Sequence, residues 1–268
     1  MTRSAITPPA TPRWPTPDFL RIEDPNTARI YDWAAGGSFN TTVDRYFGKQ
    51  IDLVLPIEVM ARRNHAFVAE TLHHAFDNGV RQILDLGCGM PTGPAWHHRA
   101  AGIPGVSAVF VDYDPVVTNA CILTLEQHPD PNSAVLNADL RDPGTVLASP
   151  QMRTTIDLTR PVILLATAVL HHIPDEHDLG EALAHYRDVL APGSYLALSH
   201  LTDPEEPGDH LRLSAAMNLY RSIDQPLASR PGFVLDGWLT GLDPVPVSQH
   251  DPFLHFTAAR IPTLQGPR

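Results

Sequence analysis

Residues 83–93, Ile-Leu-Asp-Leu-Gly-Cys-Gly-Met-Pro-Thr-Gly, constrain this chain more than any other stretch. They read as a buried strand that breaks into a glycine-rich turn and then a helix. A second buried strand, Val109-Phe110-Val111, ends in Asp112 and runs into Tyr113-Asp114-Pro115. Continuous apolar strands of this kind belong to parallel sheets covered by helices on both faces. A glycine turn after one strand and a carboxylate after the next describe a nucleoside pocket at the carboxyl ends of adjacent parallel strands.

Gly87 and Gly89 do not by themselves choose the nucleoside. A dinucleotide site wants Gly or Ala at the sixth motif position, where this chain has Thr92. It also holds a pyrophosphate on bare backbone donors. Asp85, two residues before Gly87, would repel that phosphate. A carboxylate there suits a cofactor without phosphate and with a cationic centre, and S-adenosylmethionine has both an ammonium and a sulfonium. Asp112 suits the ribose hydroxyls, because one carboxylate accepts from two donors.

Beyond Arg81 the pattern alternates strands and helices, which predicts βαβ units. Strands are expected at Gln82–Leu86, Ala108–Asp112, Ala134–Asn137, Val162–Thr167 and Tyr195–His200. Helices are expected near Pro94–Ala101, Pro115–Gln127, Asp178–Leu190 and from Asp209 to Ile223. Two late strands, near Phe233–Leu235 and Phe253–Ala258, are expected to form an antiparallel hairpin. Before the sheet, residues 24–80 read as a helical cap with helices over 28–35, 43–53 and 57–76. Residues 1–22 carry Pro8, Pro9, Pro12, Pro15 and Pro17 and read as a poorly ordered arm. The sheet domain is placed at 81–260, with a short tail to 268.

The composition narrows the partners. A net charge of −11 and a single lysine, Lys49, argue against nucleic acid, whose affinity rests largely on phosphate neutralisation. Two cysteines, Cys88 and Cys121, are too few for a disulfide framework. No apolar stretch reaches membrane-spanning length, and the chain reads as cytoplasmic. The 14 histidines form adjacent pairs, such as His171-His172, that do not share a helix face. No metal site is expected.

Asp85-Leu-Gly-Cys-Gly resembles the first motif of class I S-adenosylmethionine-dependent methyltransferases. Within them the chain is similar to a bacterial family of uncharacterised S-adenosyl methyltransferases. That closer match rests on Ala28-Arg-Ile-Tyr-Asp32 with Gly36-Gly37, Arg62-Arg-Asn-His-Ala-Phe67, Gly89-Met-Pro-Thr92 and Val111-Asp-Tyr-Asp-Pro-Val-Val117. It covers roughly residues 24–260. The implied fold is Rossmann-like, mostly parallel with a late antiparallel strand. The implied activity is methyl transfer to a small-molecule acceptor, of the kind found in secondary metabolism. Use of S-adenosylmethionine as sole substrate, or its binding without catalysis, is the alternative. A homodimer is compatible with this reading.

The resemblance also implies site residues. Asp139 would accept from the adenine amino group while the Leu140 backbone donates to the ring. Tyr113 would stand with Asp112 at the nucleoside. Thr167 and Ala168 would offer backbone contacts to the cofactor's amino group. An arginine before the first strand, Arg62 or Arg63, would pair with the cofactor's carboxylate beside Asn64. His171 or His172 would take a proton from the acceptor, His171 being the nearer to the strand end. Tyr31, with Gly36, Gly37 and Asn40, would form a lid, and Tyr31 is a catalytic candidate beside the two histidines.

Overall fold

The structure is a computed structural model that describes residues 23–92, 105–128, 132–175 and 177–263. The expected N-terminal arm, the helix expected near 94–101 and the last five residues of the tail lie outside the described residues.

The chain opens with three helices, α1 (Thr27–Ala34), α2 (Thr42–Asp52) and α3 (Ile57–Asp77). Asn26 caps α1, its side chain accepting from the Arg29 backbone. Thr41 and Asp44 form a capping box on α2. These helices do not make one separate unit. α1 and α2 pack on each other, whereas α3 also lies against the sheet. Its buried face runs through Ala61, Asn64, Phe67, Val68, Thr71, Leu72, Ala75 and Phe76, the three-and-four spacing of an amphipathic helix.

Five strands then run parallel: β1 (Gln82–Leu86), β2 (Ser107–Asp112), β3 (Ser133–Asn137), β4 (Ile163–Thr167) and β5 (Tyr195–Leu201). Helices α4 (Pro115–Gln127), α5 (Pro143–Ala148), α6 (Pro150–Thr155) and α7 (Leu179–Val189) lie between them. α4, α5 and α6 share one start signal. Asp114, Asp142 or Ser149 caps the helix, and proline follows at the first position, where its missing N–H costs nothing. The chain closes with α8 (Pro207–Arg221), α9 (Gly232–Trp238), the two-residue β6 (Asp243–Pro244) and β7 (Leu254–Arg260).

The strand order is β3-β2-β1-β4-β5-β7-β6, with β7 antiparallel to β5 over seven residue pairs. The core has two layers, one on each face of the sheet. Ile83, Ala108, Phe110, Ile163 and Leu165 face α3 and the other N-terminal helices, and the residues next to them, Leu84, Val109, Val111 and Leu164, face α5–α7. The expected late hairpin is corrected in one strand. Residues 233–235 belong to a helix, because the buried residues there are Leu235 and Leu239, spaced by four, while Phe233 is exposed. The partner of β7 on its outer side is β6 instead.

One consequence locates the site. From β1 the chain steps outward one way to β2 and β3, then returns to lay β4 and β5 on the other side of β1. The strand order reverses between β1 and β4, and a crevice opens there at the carboxyl ends of the strands.

Candidate active site

A cavity of about 350 Å³ fills that crevice. One side is the glycine turn. Gly87 and Gly89 adopt left-handed backbone, at φ +70° and +65°. The Gly87 and Cys88 N–H groups both donate to the Val111 carbonyl, which seals the end of β1 to β2. A side chain at Gly87 would run into Val169, whereas the space above Gly89 is open.

Asp112 ends β2 inside the wall. Its Oδ2 accepts from the Gly89 N–H at 3.1 Å and its Oδ1 from the Asp114 N–H at 2.9 Å. Burial pushes its pKa up to about 6, against the opposing pull of those two bonds. Asp114 caps α4 through Oδ1 and accepts from Asn26 Nδ2 at 2.9 Å through Oδ2. Asp139 lies two residues beyond the end of β3 and faces Arg141, which grips both its oxygens. Burial raises the Asp139 pKa, but the Arg141 hydrogen bonds and charge outweigh it and leave the group below its usual value. Asp85 lines the cavity between these carboxylates and β4.

The opposite side comes from the N-terminal helices and the β4 end: Tyr31, Asn64, His65, Val68, Thr167, Ala168, Val169, His172 and Ile173. The Tyr31 and His65 rings meet edge-on at 5.9 Å. Asn64 Nδ2 donates to the Tyr31 hydroxyl at 2.8 Å. Behind the His172 turn sits Arg230, a buried cation. It reaches the Ile173 carbonyl at 2.9 Å, His200 Nε2 at 2.6 Å and Asp175 at 2.7 Å. His200 Nδ1 lies 2.5 Å from the Leu201 carbonyl. These partners fix one neutral tautomer, with Nδ1 donating and Nε2 accepting. Burial holds the pKa of His200, and of His172, down at about 4.

The sequence-predicted residues divide accordingly. Asp85, Gly87, Gly89, Asp112, Tyr113, Asp139, Leu140, Thr167, Ala168, Asn64, Tyr31 and His172 all line this one cavity. Arg62 and Arg63 do not. Arg62 is exposed, 3.9 Å from Glu58 one helical turn away, and Arg63 pairs with the buried carboxylate of Asp251 at 2.6 Å. Asn64 follows Ala61 by three residues and Val68 follows Asn64 by four, so the inward stripe of α3 skips positions 62 and 63. Arg141 is the arginine of the wall among the described residues.

His171 is also displaced. It points into the core against His172 and His200, at ring distances of 4.5 and 5.6 Å, and its Nδ1 has no partner among the described residues. Gly36, Gly37 and Asn40 lie in the turn after α1 and are not among the residues that line the cavity. A side chain at Gly37 would overlap the Asp32 carboxylate, which accepts from Thr92 Oγ1 at 2.9 Å and Asn40 Nδ2 at 2.7 Å. Gly37 lets the backbone approach Asp32, and Asp32 ties α1 to the glycine turn through Thr92. Sequence reading missed Asp32, Asp114 and Arg230. Only Asp114 carried a local signal, the Asp-Pro pair of a helix start.

Among the described residues no cluster of His, Cys, Asp and Glu has the arrangement of a metal site, and no helix is long and apolar enough to cross a membrane.

A doubly wound sheet whose switch point holds a glycine turn and carboxylates on three successive strands defines an α/β enzyme for a nucleoside cofactor without phosphate. The chain belongs to the S-adenosyl methyltransferase family, whose model matches residues 15–247. It is an S-adenosylmethionine-dependent methyltransferase. It is similar to a DUF574 family protein of Streptomyces avermitilis MA-4680, with 30% identity, 90% of this chain and 99% of that one covered, and a TM-score of 0.80. It is also similar to a proposed methyltransferase from Thermobifida fusca YX, with 27% identity, 94% and 100% covered, and the same TM-score. An O-methyltransferase family protein of Burkholderia thailandensis shares the fold at 15% identity, 92% and 67% covered, TM-score 0.51. No functionally curated protein matches the chain.

Proposed function

We propose that the turn side of the cavity holds S-adenosylmethionine and that the opposite side receives a small, uncharged or cationic acceptor. When bound, the cofactor supplies an electrophilic methyl group on a sulfonium. In this reading Asp112 accepts from the ribose hydroxyls and Asp85 faces the ammonium. Asp139 and Leu140 border the adenine, Tyr113 covers the nucleoside, and Thr167 and Ala168 flank the methionine part. Tyr31, Asn64, His65, Val68, His172 and Ile173 form the acceptor wall.

The observation that carries this reading is the second wall. A module that only binds the cofactor needs the strand ends and the turn. Here the same cavity is continued by ring edges and apolar groups from α1 and α3. Its volume lies near the lower end for ligand pockets, roughly 300–1,000 Å³, which limits the acceptor to a small molecule. Four carboxylates (Asp85, Asp112, Asp114 and Asp139) and one paired arginine line it, so an anionic acceptor is repelled.

The chain's own residues contribute mainly alignment and exclusion of water. His172 stands in the wall, but its low pKa leaves it neutral and weakly basic near pH 7. A general base works best with a pKa near the working pH. His172 therefore orients the acceptor and does not store its proton.

The test has two stages. Calorimetry should find binding of S-adenosylhomocysteine and none of NAD. Purified protein is then incubated with S-adenosylmethionine, first alone and then with a panel of small hydroxyl and amine compounds and their carboxylated analogues. Mass spectrometry should find methylated product with uncharged or cationic members and none with the carboxylates. Cofactor fragments in the acceptor-free sample would replace transfer with intramolecular chemistry.

A further inference from the structure

Ser199 lies in the middle of the sheet on β5, has no exposed surface and does not line the cavity. Yet it connects three pieces that do. Its Oγ accepts from the Ala168 N–H at 2.8 Å and donates to Asn64 Oδ1 at 2.6 Å. Asn64 in turn donates through Nδ2 to the Tyr31 hydroxyl at 2.8 Å. The backbone N–H can only donate, so the serine oxygen accepts there, and with Asn64 Oδ1 turned toward it the serine hydrogen goes to Asn64. The Asn64 amide is thereby oriented, with oxygen toward the sheet and nitrogen toward Tyr31.

The residue at the start of this chain is conformationally strained. Ala168 sits at φ +54°, in the left-handed region that an L side chain rarely adopts. Such backbone persists only where its surroundings over-determine it, and it collects at ligand sites. The Ala168 N–H lies close to the Ser199 carbonyl as well as its hydroxyl, at 3.2 Å and 2.8 Å. The carbonyl is part of the sheet. The hydroxyl is the side-chain contribution, and it is tied through Asn64 to the N-terminal helices.

We propose that Ser199 is a positioning residue: its buried hydroxyl holds the left-handed backbone of Ala168 at the cavity wall and couples it, through Asn64, to Tyr31. The inference rests on the reading that Ala168 borders the cofactor. Its consequence is that cofactor affinity depends on a side chain that cannot reach the cofactor.

The test is a double-mutant cycle read by calorimetry with S-adenosylhomocysteine. Ser199→Ala is expected to weaken binding about tenfold, the scale of one buried hydrogen bond to backbone. Glycine adopts left-handed backbone without strain. In the Ala168→Gly background, the same Ser199→Ala change is therefore expected to cost no more than about twofold, and this coupling is the signature of positioning. The binding stoichiometry reports the folded fraction, so loss of fold is separated from loss of affinity. If Ser199→Ala does not fold, Ser199→Cys replaces it in both backgrounds. The thiol is a weak acceptor, so the same order is expected. Equal affinity of Ser199→Ala and the wild type overturns the proposal. So does an equal loss in the two backgrounds, which would make Ser199 merely structural. Failure of the wild type to bind S-adenosylhomocysteine would instead sink the reading of the site itself.

Discussion

The two walls of the cavity are built in opposite ways. On the turn side, most bonds join near neighbours in sequence or the ends of adjacent strands. Asp112 takes its N–H donors from Gly89 and Asp114, Asp139 takes its cation from Arg141, and Asp114 caps the helix it begins. On the acceptor side, the partners are distant in sequence. Asn64 reaches Tyr31 across 33 residues and Ser199 across 135, and Arg230 reaches the His172 turn across 57 to 60. The turn side is formed once β1, β2 and β3 pair. The acceptor side exists only when β5, α3 and the 230 loop have all docked. The difference teaches where specificity can drift. Acceptor-wall residues can be exchanged without touching the bonds that shape the turn.

The largest expected effect is at the point where the two walls touch. Gly87→Ala adds a methyl group against Val169 in a left-handed backbone, and should destabilise the fold by about 2–4 kcal/mol. Gly89→Ala has the same backbone but open space, and should cost only about 1–2 kcal/mol. Denaturant midpoints at unchanged slope measure both. Equal losses would mean that strain alone matters and that the walls are not in contact through Gly87.

Next comes Asp112→Ala, which should weaken S-adenosylhomocysteine binding by roughly 1.5–3 kcal/mol, the range for hydrogen bonds to a charged group. Unchanged affinity would move the ribose contact away from the turn side.

Titration separates the walls by sign. The pKa of Asp112 is raised to about 6, so its carboxylate is lost as an acceptor when pH falls through 6. Affinity should drop about tenfold between pH 7.5 and pH 5, and Asp112→Asn should flatten that profile. The free protein gains stability from Asp112 over the same fall, because the folded state then binds a proton that the unfolded state does not. His172 and His200 act the other way. Their folded values of about 4 lie below the ordinary 6.5, so their stability is present above 6.5 and is lost as pH falls toward 4. Burial lowers His171 in the same way, so three such histidines stand against the raised carboxyls of Asp112 and Asp32, and the unfolding midpoint should fall between pH 7.5 and pH 5. A rise would make the two carboxyls the stronger influence.

Two smaller effects sharpen the comparison further. His172→Ala should lower turnover by less than about tenfold, since an aligning group without a base role contributes less than the 10²–10⁴ of acid–base catalysis. A hundredfold loss would reinstate the base. Arg62→Ala should leave both affinity and stability within about 0.5 kcal/mol, as expected for an exposed pair. A clear loss of affinity would bring α3's outer face back into the site.

The sheet from β1 to β5, the turn and the cofactor class were legible in the residues alone. Those features rest on short-range rules: apolar strands, a glycine turn, the Asp-Pro start of the helix after β2, and a carboxylate at a strand end. The sequence could not decide which face of α3 looks inward, because Arg62, Arg63 and Asn64 are consecutive and one helical step of about 100° separates each from the next. It favoured His171 over His172, and packing reversed the order by turning His171 into the core and leaving His172 in the cavity wall. The sequence could not mark Arg230, Asp32 or Ser199, whose roles come from partners 30 to 135 residues away. Only the docked tertiary structure decided these, because a buried polar group is defined by the partner that satisfies it, and that partner is chosen by packing.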